Sequence, residues 1–214
     1  MKKFFAYEGK YYKVMNRIGN LIGISVLFII TSLPIITLVP SLSALYYTTV
    51  KTQRIGNGYP AKEYWKAWKR ELKQGILLNI LFLVTGIILL IDMLYVFQSG
   101  TVFGAISFAV LSFLVYIWLA LLIYVPILLS RFSLSSFEVF KLALSMQFRH
   151  LPFTILFIGC YLIAAFVLYL MPIPTILLLP ALVMYSLSFL IEKILKKYLS
   201  PEALSDEQKW YTAL

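Results

Sequence analysis

Four apolar runs constrain this chain more than any other feature: Gly75 to Phe97, Val102 to Leu129, Leu151 to Met171 and Ile173 to Ile191. A helix needs about 20 residues to cross the hydrocarbon core of a bilayer, and each run comes close to or exceeds that length. A fifth apolar region begins at Ile18 and is interrupted by Pro34 and Pro40. Composition points the same way, with 61% hydrophobic and 13% charged residues against roughly 45–50% and 25% in soluble domains. Inside lipid, backbone groups must be paired within the chain, so runs of this kind are helical. The expected fold is all-α, a polytopic transmembrane bundle of five to six membrane segments forming one membrane domain.

The polar residues divide the chain further. The turns QSGT (98–101) and MPIP (171–174) join neighbouring runs with almost no spare chain, which demands tight helical hairpins over 75–129 and 151–191. All 19 Lys and Arg residues fall in four other segments: 1–17, the stretch from Lys51 to Lys73, 130–150 and 192–214. Basic residues flanking spans stay on the cytoplasmic side, so both termini are expected in the cytoplasm of a bacterial plasma membrane. This distribution accounts for the net charge of +10 without any nucleic-acid partner. Residues 1–17 have no apolar core of the signal-peptide kind, and the segment from Ile18 is expected to act as an uncleaved insertion signal.

The stretch SLPIITLVPSLSALYY (32–47) is then unusual, because the chain from 18 to 54 must enter and return on one side. Its return from Ser41 to Arg54 is only about 21 Å of helix, short of the roughly 30 Å core. Either a half-length return helix is shielded by its neighbours or the segment is re-entrant. Pro34 and Pro40 are the expected hinge points, with Ser32, Thr37, Ser41 and Ser43 placed to satisfy freed backbone groups. A kinked hairpin serves packing alone; a broken helix lining a cavity serves transport.

A different period runs through residues 59–74. Ala61, Tyr64, Trp65, Trp68 and Leu72 recur every three or four positions, while Lys62, Lys66, Lys69, Arg70 and Lys73 fall largely opposite. This is the profile of an interfacial amphipathic helix attracted to anionic cytoplasmic lipid; docking on a protein partner predicts the same pattern. Residues 135–157 read as a weaker copy at a shift of 75, with Trp65 on Phe140 and Phe82 on Phe157.

Intramembrane polarity is sparse. Asp92 is the single charge inside the runs, placed near the outer interface, and Asn79 near the inner end reads as a helix–helix hydrogen-bonding group. Cys160 has no partner for a disulfide and reads as a small buried hydrophobe, and His150 as an interfacial residue. No phosphate-binding loop, zinc motif or nucleophile elbow is present. No catalytic residue, cofactor or metal is expected, and the chain reads as a non-enzyme.

The stretch SLPIITLVPSLSALYYTTVK followed by YWKAWKRELKQG resembles the YesL-like family of small bacterial membrane proteins, a domain of unknown function. Ser32, Leu33, Pro34, Thr37, Pro40, Ala44, Leu45 and Tyr46 match its pattern. Val39 replaces the expected glycine, and Trp65, Trp68 and Leu72 stand where phenylalanines are usual. The resemblance implies a gene neighbourhood of carbohydrate uptake in Gram-positive bacteria and no catalytic residues. Two functional classes follow. The first is an accessory protein of a carbohydrate ABC importer, contacting its permease subunits; the second is a small transporter or channel with a site at 32–47.

Overall fold

A computed structural model describes residues 10–98, 102–195 and 197. Among these the secondary structure is entirely helical: α1 Lys10–Ser32, a short 3-10 turn Ile35–Thr37, α2 Leu38–Thr48, a π-helical turn Thr49–Arg54, α3 Pro60–Gln98, α4 Val102–Arg131, α5 Ser136–Arg149, α6 Leu151–Leu170 and α7 Pro172–Leu195. The chain is an all-α helical bundle. Five of its helices, α1, α3, α4, α6 and α7, are long and apolar enough to cross a membrane. Expectations for residues 1–9 (Lys2 and Lys3 included), for turn positions 99–101 and for tail positions 196 and 198–214 lie outside the described residues.

The short helix α2 is the centre of the bundle and packs against α1, α3, α4 and α7. From Val39 to Val50 every residue except Leu42 is buried. Ser41, Ser43 and Ala44 keep its surface small, which lets neighbouring backbones approach closely. Together α2 and the π-helical turn span 38–54, about 25 Å. The return is a short helix enclosed by longer ones.

The break itself lies at 33–37, not at both prolines. Pro34 is extended, with ψ near 105°, and opens the 3-10 turn. Pro40 instead occupies the first turn of α2, where its missing N–H has no intrahelical acceptor to lose. Pro40 is thus a packing residue: it abuts Gly75, where an added Cβ would lie 2.9 Å from the proline Cβ and Cδ.

A second departure concerns α3. The interfacial helix expected at 59–74 and the span expected from Gly75 form one uninterrupted helix of 39 residues, about 58 Å long. Its first half is rich in good helix formers, and Gly75 marks a close helix–helix contact, not a boundary. Two glycines with positive φ, Gly56 at 77° and Gly58 at 87°, turn the chain into it, a conformation that side-chain-bearing residues adopt reluctantly. Pro60 then occupies the first helical position, where proline is favoured.

At a shift of 75, Trp65 is exposed and Phe140 half-buried, whereas four other pairs share burial. Tyr64, Glu71, Asn79 and Phe82 are buried on α3, and Val139, Met146, Thr154 and Phe157, each 75 positions later, are buried on α5 and α6. The second copy is broken at His150, where α5 ends and α6 begins. A capping box starts α5: the Ser135 hydroxyl accepts from the Glu138 N–H while the Glu138 carboxylate accepts from the Ser135 N–H and hydroxyl. Those bonds hold the Glu138 carboxyl below its usual pKa. Two helices carry internal prolines, Pro126 in α4 and Pro180 in α7. Next to Pro180 the Ala181 N–H donates to the Ser25 hydroxyl at 3.2 Å, which ties α1 to α7.

The Gly75–Pro40 contact is directly testable. Gly75→Ala should lower thermal stability in detergent by about 1–3 kcal/mol, the cost of overpacking a filled contact. Gly23→Ala, where an added Cβ meets nothing within 4 Å, should leave it unchanged or raised.

Candidate functional site

The broken segment closes its own hydrogen bonds. The Thr37 hydroxyl donates to Thr31 O at 2.6 Å and Pro34 O at 2.7 Å, and the Ser32 hydroxyl to Ile29 O at 3.1 Å. The Asn79 side chain reaches across from α3 to both sides of the turn. Its Nδ2 donates to Ile35 O at 2.8 Å and its Oδ1 accepts from Val39 N–H at 3.2 Å. Val39 is in the first turn of α2, where amides have no intrahelical acceptor. Ser41 receives the Trp68 indole N–H at 3.3 Å. Thr31 shares a 2.6 Å bond with the Tyr64 hydroxyl. Ser43 departs from expectation: its buried hydroxyl has no hydrogen-bond partner among the described residues, so it does not serve the break.

The two faces read on the first part of α3 are partly redistributed. Tyr64 and Ala67 are buried, Trp68 is half-buried and Trp65 remains 39% exposed. Of that face, Tyr64 and Trp68 bond to Thr31 and Ser41, Leu72 is half-buried, and Ala61 and Trp65 stay exposed. Lys66, Lys69 and Lys73 are exposed. Arg70 is also exposed but is partnered: it pairs with Glu71, lies 5.0 Å from the Tyr47 ring centroid and donates to Ser130 O at 3.5 Å. Beside it, Lys51 bonds Glu63 at 2.6 Å and the Tyr47 hydroxyl at 3.2 Å.

The most enclosed charges are two that the sequence reading passed over. Arg131 and Glu192 form an ion pair at 2.6 Å with side chains 0% and 1% exposed. The Tyr46 hydroxyl donates to the second carboxylate oxygen of Glu192, also at 2.6 Å. One charge-assisted knot therefore joins α2, α4 and α7. By local pattern Arg131 belongs to the basic segment 130–150 that follows the apolar run of α4, and Glu192 to the segment 192–214 that follows Ile191. The available signal was the second apolar flank of Glu192, Ile194 and Leu195, which continues the helix around it. Asp92, the charge that did stand out, is exposed on the apolar α3–α4 hairpin and takes no part in the knot.

Open space lies elsewhere. Two apolar grooves of about 360 and 390 Å³ flank Trp118 between α3 and α4, and a third of about 220 Å³ lies among Phe28, Leu42 and Tyr161. A polar cleft of about 460 Å³ sits at the basic end between α1 and the turn before α3. None of these is lined by the Arg131–Glu192 pair or by Asn79.

Residues 3–93 match the model of a family described as "Protein of unknown function, DUF624". The match covers α1, α2 and most of α3, the portion that contains the break and Asn79. No curated protein and no solved structure matches the chain.

Two substitutions separate these polar groups. Asn79→Leu orphans the Val39 N–H and leaves Ile35 O with its bond from the Leu38 N–H alone, and it should destabilise the protein by about 1–3 kcal/mol for the orphaned amide. Asp92→Asn should leave the unfolding midpoint in detergent unchanged.

For the ion pair, Glu192→Ala strands a buried guanidinium and should cost about 3–5 kcal/mol. Arg131→Met combined with Glu192→Met should recover most of that loss. A double mutant as unstable as Glu192→Ala would show that the pair does more than neutralise itself.

Proposed function

We propose that this protein is a non-catalytic accessory subunit of a membrane assembly, with the permease of a carbohydrate ABC importer as its partner. One observation carries the accessory role. At the helix break the polar groups turn inward and bond one another, whereas Leu33, Ile35 and Ile36 turn outward, 73%, 65% and 45% exposed. A substrate site at a broken helix presents the opposite arrangement, with freed polar groups facing a cavity. Here the break offers an apolar shelf, suited to another transmembrane helix.

The identity of the partner rests on the YesL-like resemblance of residues 32–75 and on the carbohydrate-uptake neighbourhood that it implies. The membrane in question is the plasma membrane of a Gram-positive bacterium. The basic end, with Lys66, Lys69 and Lys73 exposed, faces the cytoplasm under the positive-inside rule, and both termini lie there. Those lysines would strengthen attachment to anionic lipid of the inner leaflet.

A photo-crosslinking residue at Leu33 or Ile36, introduced in the native host, should capture a permease subunit. The same residue at exposed Phe137 on α5 should not. Sugar flux in proteoliposomes containing the purified protein alone would instead establish the transporter reading and overturn this one.

A further inference from the structure

The polar cleft at the basic end belongs neither to the helix break nor to the buried ion pair. It is lined by Arg17, Asn16 and Asn20 of α1 and by Thr52, Gln53 and Arg54 of the π-helical turn. Its lining includes two arginines and no acidic residue. Arg54 is held in place: its Nη1 donates to Ser188 O at 2.9 Å and its guanidinium lies 4.5 Å from the Phe189 ring centroid. Gln53 is 5% exposed and donates to the Thr52 hydroxyl at 3.3 Å, so the floor of the cleft is polar. Arg17 by contrast is exposed and has no ion pair among the described residues. The nearby acid, Glu63, is taken by Lys51 at 2.6 Å.

We propose that this cleft binds a phosphate ester that carries a hydroxylated group. Guanidinium groups match phosphate oxygens in geometry and charge. The Thr52 hydroxyl donates to Thr48 O at 2.8 Å and accepts from the Gln53 amide at 3.3 Å, so the amides of Asn16 and Asn20 and the Gln53 oxygen supply the donors and acceptors that hydroxyls need and a bare anion does not. A volume of about 460 Å³ exceeds what a lone phosphate fills and falls within the range of small-molecule sites. The same chemistry occurs in the headgroup of phosphatidylglycerol and in soluble glycerol 3-phosphate.

Native mass spectrometry of the full-length protein in detergent tests the site with both probes and with phosphatidylcholine. Wild type should retain phosphatidylglycerol or glycerol 3-phosphate in preference to phosphatidylcholine. Arg17→Gln, at a position outside the core, should weaken that retention about fivefold, while the exposed-lysine control Lys141→Gln leaves it unchanged. Retention of the lipid alone assigns the site to a headgroup; retention of the soluble ester, to a free metabolite. Equal losses in Arg17→Gln and Lys141→Gln would reduce the effect to general surface charge and overturn the proposal. So would a wild type that shows no preference for either phosphoester.

Discussion

A helix that stops inside an apolar bundle leaves backbone groups without partners, and the whole architecture depends on how these are satisfied. Where lipid or protein excludes water, a side chain must bond them. Asn79 does this with one amide, taking Ile35 O on one side of the break and Val39 N–H on the other. Thr37 covers Thr31 O and Pro34 O from within the turn. Because those groups are closed, α2 can be short and central, and the longer helices can pack around it.

The length of α3 follows from the same requirement. Its first half supplies Tyr64 to Thr31 of α1 and Trp68 to Ser41 of α2, and further along it supplies Asn79 to the turn. One rigid helix sets the spacing of all three. Gly75 sits between them at the contact with Pro40, so the helix must come closest to α2 where it has no side chain. A break at residue 75 would have uncoupled the aromatic contacts from the amide that closes the turn.

Near the basic end, charge is balanced inside the fold. Arg131 and Glu192 neutralise each other and engage Tyr46, while Arg70 is placed over Tyr47 next to Glu71. Buried pairs of this kind add little net stability compared with apolar packing. What this one supplies is register: α2, α4 and α7 have one relative placement in which all three groups meet. The cation and anion are 61 residues apart in the chain, which is why neither looked like part of a pair.

By itself the sequence determined what depends on local pattern. Apolar runs of helical length made the chain an all-α membrane bundle, Pro34 ended α1, and the three- and four-residue spacing of Tyr64, Trp65 and Trp68 marked one face of a helix. Asn79 was legible as an interhelical hydrogen-bonding group because a lone amide in an apolar run needs a partner. The tertiary structure decided what depends on who the partner is. It turned Pro40 from a hinge into a contact, joined 59–74 to the following span, left Ser43 outside the break, and moved the significant charges from Asp92 to Arg131 and Glu192. Periodicity reports which face of a helix avoids water, but lipid and another helix are equally apolar, so only packing distinguishes a face turned to one from a face turned to the other.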